Sequence, residues 1–173
     1  MLYDLAFYKA EIGEVLFNSS IKTIPYKTFM DSSIKRVDLN GVNQIASYAF
    51  FECHFLKEVV IREESVIIRD HAFNRTYNLE GIYIPAKAEL EGGSFMDSGL
   101  KTVIMGEEVS FSTASFAECY DLQTLILPDS MKSLPDVSFR DCISLAKLYI
   151  PEGVSEIGDE CFKDAVVNLF GKK

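Results

Sequence analysis

The residues able to do chemistry are few: four cysteines and two histidines in 173 positions. Cys53, Cys119, Cys142 and Cys161 form no C-x-x-C pair, so the close spacing that brings zinc ligands together is missing. His71 follows Asp70, and a His–Asp neighbour could serve as a general base with its orienting carboxylate. Sequence neighbours on a turn usually point apart, however, and the pair places no Ser or Cys nucleophile. His54 follows Cys53 in another turn, and both histidines read as solvent-exposed turn residues. No Gly-rich phosphate loop, metal-spaced carboxylate motif or nucleophile elbow appears. Gly92-Gly93 reads as turn chemistry. The expectation is no enzyme, no cofactor and no metal.

The elements that position these residues explain the cysteines in another way. Phe7, Phe29, Phe50, Phe73, Phe95, Phe116, Phe139 and Phe162 recur at intervals of 21 to 23 residues. A fixed period in this range marks a repeat architecture. The residue before each ring is small: Ala6, Thr28, Ala49, Ala72, Ser94, Ser115, Ser138 and Cys161. So is the residue three after it: Ala10, Ser32, Cys53, Thr76, Ser98, Cys119, Cys142 and Ala165. Small residues beside a ring are what close packing of stacked Phe side chains requires. The cysteines are therefore expected as free, buried, small thiols. Cys119 and Cys142 would lie in adjacent coils, about 5 Å apart at Cα, a distance that permits a bridge. Their parallel, inward side chains are poorly oriented for one.

Within each unit the apolar residues keep fixed offsets, as in Leu145, Leu148, Ile150, Val154, Ile157 and Phe162. The first three give apolar-x-x-apolar-x-apolar, a short strand with one face buried. Identical strands stacked coil on coil pair in parallel, roughly 4.8 Å apart. Pro85, Pro128 and Pro151 follow the strand directly, where a missing N–H is tolerated and the chain must turn. The second apolar pair, such as Val154 and Ile157, lines the return side, and the Phe plugs the turn back. The units starting at 34, 79 and 100 are one residue shorter between strand and return. Lys87 and Glu108 then fall where an apolar residue is expected, with Ala88 and Val109 following them, so the local register stays open.

The pattern L-x-x-I-x-I-P-x-x-V-x-x-I-x-x-x-A-F-x-x-C, carried best by 145–165 and 122–142, resembles the BspA-like (Treponema-type) leucine-rich repeat. Ala49-Phe50, Ala72-Phe73 and Phe50 to Cys53 supply its "AF…C" signature. The resemblance runs from Ala6 to about Phe170. It implies an α/β-type repeat solenoid, a curved right-handed coil stack with one parallel sheet on the concave face, mostly β and turns with little helix. It also implies non-enzymatic adhesion or interaction at a bacterial or protist cell surface or outside the cell, with no catalytic residues to carry over. The expected organisation is one domain over 1–173. It comprises a partial coil over 1–11, full repeats starting at 12, 34, 56, 79, 100, 122 and 145, and a partial strand over 167–173.

Composition sets limits on partners. Net charge is −9, with a denser acidic stretch at Glu152, Glu156, Asp159, Glu160 and Asp164. Such a chain is repelled by nucleic acid and by anionic membrane surfaces. No apolar run approaches the ~18–20 residues of a membrane span. The opening "MLYDLAFYKAEIGEV" lacks a basic n-region and is interrupted by Asp4 and Lys9, so it does not read as a signal peptide. An intracellular scaffold or sensor module therefore stands as the alternative to a surface adhesin. A monomer able to make end-to-end contacts is the expected state.

The positions that leave the core by strand alternation are Leu16, Asp38, Val60, Tyr83, Ile104, Ile126 and Tyr149. All but Asp38 are apolar or aromatic. Strand propensity alone favours such residues, but a continuous apolar stripe with a polar border is also the profile of a protein-binding patch. Leu16, Val60, Tyr83, Ile104, Ile126 and Tyr149 are therefore the candidate binding residues, for a protein partner such as a host or matrix protein.

Overall fold

The structure, a computed structural model, describes residues 1–165 and 168–171. Among them there is no helix. The chain alternates longer and shorter strands. In order these are β1 (Glu14–Leu16), β2 (Thr23–Ile24), β3 (Arg36–Leu39), β4 (Gln44–Ile45), β5 (Glu58–Ile61), β6 (Ile67–Ile68), β7 (Gly81–Ile84) and β8 (Glu89–Leu90). They continue with β9 (Thr102–Met105), β10 (Ser110–Phe111), β11 (Thr124–Ile126), β12 (Ser133–Leu134), β13 (Lys147–Ile150), β14 (Glu156–Ile157) and β15 (Asn168–Gly171). Odd strands pair only with odd strands and even with even, always in parallel, as stacked coils require. Of the strand expected over 167–173, Val167, Lys172 and Lys173 lie outside the described residues.

The core is the stack of rings. Consecutive members of the Phe column are parallel, with centroids 5.0 Å apart from Phe7 to Phe29 and 4.9 Å from Phe50 to Phe73. The separation rises to 5.5 Å at Phe95–Phe116 and 5.6 Å at Phe116–Phe139. Phe29 through Phe139 are fully buried, and the end members Phe7 and Phe162 are only partly covered. The two small columns are buried beside them from Thr28 to Cys161, while the end members Ala6, Ala10 and Ala165 are exposed or half-buried. Several of their hydroxyls bond within the turn, as Thr28 donates to the Pro25 carbonyl at 2.8 Å and Ser138 to that of Pro135 at 2.7 Å, whereas Ser94 Oγ is buried without a partner.

The Phe turn is itself a ladder. The Phe29 N–H donates to Ala49 of the next coil at 2.8 Å, Phe50 to Ala72 at 2.8 Å and Phe95 to Ser115 at 2.8 Å. Holding alternate N–H groups along the stack axis demands left-handed backbone two residues before and two after each ring. Lys27 and Asp31 (φ 53° and 55°) flank Phe29 in this way, and Val137 and Asp141 (φ 58° and 61°) flank Phe139.

The shorter units resolve through the same device. In each, one left-handed residue replaces the missing one: Gly41 (φ 83°), Lys87 (φ 59°) and Glu108 (φ 60°). The residue after it, Val42, Ala88 or Val109, then returns to the core.

The return side differs from expectation. Its two-residue strands pair as a second ladder, β10-β8-β6-β4-β2, with β12-β14 separate. The face of longer strands is likewise divided, into β1-β3-β5, β11-β9-β7 and β13-β15. Each break has the same two ingredients. The strands on either side start 23 positions apart (Glu58 to Gly81, Ser110 to Ser133, Thr124 to Lys147), and a proline (Pro85, Pro135, Pro151) stands at or just past the end of the incoming strand. Neither suffices alone. β4 and β6 are 23 apart and paired, with Arg69 donating to Ile45 at 2.9 Å. Pro128 follows β11, which still pairs with β9. Ile157, expected inside, is 47% exposed because no described strand packs beyond β14.

Candidate binding face

The residues with chemical potential are held by the stack. All four cysteines are buried and unbridged. The Cys53 thiol donates to the Phe29 carbonyl at 2.9 Å, and Cys119 and Cys142 donate to Phe95 and Phe116, each at 3.3 Å. Burial pushes Cys53 up to about 12 and Cys119 and Cys161 up to about 11, with Cys142 moved the same way. A thiol that stays protonated is a poor nucleophile and a poor metal ligand. The histidines correct the expectation of exposed turn residues. Both are half-buried, His54 stacked on Tyr77 at 5.1 Å and His71 on Tyr48 at 5.2 Å. Their Nδ1 atoms are enclosed without a hydrogen-bond partner. They are rungs between coils. Among the described residues no three His, Cys, Asp or Glu side chains cluster as metal ligands.

The longer strands place the candidate stripe. Leu16, Asp38 and Val60 are in register in one ladder, and Tyr83, Ile104 and Ile126 in the next. The two groups are unlike. Asp38 is nearly buried, because Arg62, one residue past β5, folds back and donates from Nε to its carboxylate at 2.8 Å. These hydrogen bonds hold the Asp38 carboxyl below the usual range despite the cost of burial. Beside it Arg36 is clamped between Glu14 and Glu58, the latter at 3.1 Å. Val60 is half-buried and Leu16 stands isolated, 64% exposed, on β1. The predicted continuous stripe is thus split by an ionic patch. The sequence signal for the split was Asp38 itself, the one charge in its column; Arg62 was not singled out.

On the other side the stripe is intact. Tyr83, Ile104, Ile126 and Tyr149 are 55%, 38%, 49% and 57% exposed. Where β11 and β13 fail to pair, a cleft of about 190 Å³ opens. Leu125, Ile126 and Leu127 form one wall and Tyr149, Ile150 and Pro151 the other, with Asp129 at the edge. The loops leaving β9, β11 and β13 bring exposed Glu107, Glu108, Asp129 and Glu152 along this border. Two cations stand among them: Lys87, after β7, and Lys132, whose ammonium lies against Gly153. The opposite border is neutralised in part by the Lys101–Glu80 pair at 2.8 Å.

Comparison with known proteins agrees with this architecture. The BspA type leucine rich repeat region matches residues 2–101 and 68–169, in six copies. A leucine-rich repeat protein from Bacteroides ovatus superposes over 93% of this chain with a TM-score of 0.80 and 22% identity. The chain spans 45% of that protein's length. A leucine-rich repeat protein from Eubacterium ventriosum superposes over 96% of this chain and 68% of its own, with a TM-score of 0.52 and 15% identity. No curated protein matches. With rings, small columns and parallel ladders all following the repeat, the chain belongs to the BspA type leucine-rich repeat family.

Proposed function

We propose that this chain is a non-enzymatic protein-binding module of a surface or secreted bacterial or protist protein, and that the face of longer strands does the binding. The observation that carries the reading is the row Tyr83, Ile104, Ile126 and Tyr149. It is in register where the strands pair and substantially exposed throughout. Exposing such a row costs solubility unless a partner covers it. Tyrosine combines large contact area with a polar tip and is frequent among the residues that dominate binding energy. The buried thiols and stacked imidazoles argue against a reacting centre.

The test is capture from host or matrix extracts on immobilised protein, followed by affinity measurement with the protein captured. Tyr83→Ala and Ile126→Asp should each weaken binding by more than about tenfold, with an unchanged melting temperature. Lys132→Ala and Glu156→Ala, on the return side, should leave binding unaltered. Loss of binding in the return-side variants with retention in the others would place the interface elsewhere.

A further inference from the structure

A recess of about 310 Å³ lies in the Phe turns, outside the face of longer strands, and Asn74 lines it together with His71, Phe51 and Met96. Asn74 follows Phe73, and the same position holds Met30, Phe51, Met96 and Ala117 in the neighbouring coils. A short amide thus stands between the longer side chains of Phe51 and Met96. The column of His71 continues as Gly93 and Ala114, and a Cβ at 93 would stand only 3.2 Å from the imidazole. These short residues hollow out the turn surface.

Asn74 is 6% exposed, yet its Oδ1 has no hydrogen-bond partner among the described residues, and neither has Nδ1 of His71. Two orphaned polar atoms on residues lining one recess cost stability and call for a ligand that bonds them. The charges there are already engaged: Arg75 pairs with Glu52 at 2.8 Å and with Asp97 at 3.5 Å, and Glu118 with Arg140 at 3.4 Å. An ion would have to break these pairs, so the missing partner is neutral. The rings are engaged too, Tyr48 stacked on His71 at 5.2 Å and Phe51 under the Arg75 guanidinium at 5.8 Å. A flat aromatic ligand therefore has little to stack on. A hydroxyl both donates and accepts, so it satisfies the amide in either orientation and the imidazole in either tautomer.

We propose that this recess binds one neutral pyranose unit of a carbohydrate, with hydroxyls on Asn74 and His71 and its C–H flank against Met96. A pyranose is compact, carries hydroxyls at its edge and C–H groups on its flanks, and so matches a polar floor beside an apolar wall. The recess lies at the lower end of the roughly 300–1,000 Å³ of small-molecule sites. The proposal is independent of the protein-binding reading, because it uses turn residues and none of the exposed row.

Methyl glycosides of glucose, galactose and mannose should be titrated into the ¹⁵N-labelled chain, with cyclohexanol, glucosamine and glucuronate as controls. At least one glycoside should shift the Asn74 side-chain amide and the backbone amides of His71, Arg75 and Met96 in a saturable way. Cyclohexanol, a ring with a single hydroxyl, should give no saturable shift, and neither charged sugar should bind more tightly than methyl glucoside. Asn74→Met installs a residue that neighbouring coils carry at this position. It should abolish glycoside binding and leave the melting temperature unchanged or raised, because an unpartnered polar atom is removed. An Asn74 amide unmoved by all three glycosides would overturn the proposal. So would an equal response to cyclohexanol, tighter binding of a charged sugar, or binding retained in Asn74→Met. Should that variant fail to fold, the Asn74 amide in the unaltered chain still decides.

Discussion

Val137 occupies left-handed backbone at φ 58° two residues before Phe139, where a β-branched side chain is crowded. The equivalent position before Phe95 is Gly93, the only residue of this column whose type announces its conformation. Elsewhere the same slot holds Leu5, Lys27, Tyr48, His71, Ala114 and Glu160. Such variety hid the turn geometry from sequence reading, because the inter-coil hydrogen bonds impose the conformation on whatever residue stands there. The rings and small columns were legible for the opposite reason: packing permits only one kind of residue at each. The strain at Val137 should be removable. Asn tolerates the left-handed region better, and Val137→Asn should stabilise the fold by about 1 kcal/mol. That corresponds to a rise of roughly 2–4 °C in melting temperature for a chain of this size. Thermal unfolding followed by circular dichroism would show it; a fall would mean that Val137 contributes packing that outweighs its backbone strain.

At the scale of elements, the longer strands could be read from alternation, and their register is as expected. The shorter strands could not, since two residues with one inward side chain, such as Thr23–Ile24, carry no periodicity. The breaks in the ladders were also hidden, although their ingredients were visible as separate facts. A 23-residue interval alone leaves enough slack for pairing, and a proline alone removes one donor. Together they release the step. Pro135 offers the cleanest test, because the equivalent residues in neighbouring coils do donate: Ser112 to Leu90 at 2.9 Å and Gly158 to Leu134 at 2.7 Å. Pro135→Ala should supply the absent N–H to Phe111 and join β10 to β12. In hydrogen exchange the new amide at 135 should be protected. Net stability should change by less than about 1 kcal/mol, because the hydrogen bond gained is offset by greater freedom of the unfolded chain. An amide at 135 that exchanges as freely as an unstructured one would show that the interval, and not the proline, holds the step open.

At the scale of the molecule, the face has two characters that composition could not separate. Glu14, Arg36, Glu58, Asp38 and Arg62 pair with one another over the first ladder, and the exposed Glu107, Glu108, Asp129 and Glu152 lie beside the apolar row of the second. What joins the two parts is the ring column, and each member supports only its neighbours. Stability in such a stack is approximately a sum of coil and nearest-neighbour contributions. Phe95 is fully buried and stacks on Phe73 at 5.0 Å and Phe116 at 5.5 Å. Phe7 is partly covered and stacks on Phe29 alone among the described residues, at 5.0 Å. Phe95→Ala therefore opens a cavity inside the column and loses two stacked faces, at a cost of roughly 3–5 kcal/mol. Phe7→Ala loses one face and part of its apolar burial, about 1–1.5 kcal/mol. Denaturant melts of the two variants should show this difference, with the Phe95→Ala transition at the lower midpoint. In the Phe7→Ala variant, hydrogen exchange should rise first around Lys9 and Ala10 and leave the Phe95 turn protected. Equal losses at the two sites would mean that the coils are not held by their neighbours in the way the ring column implies.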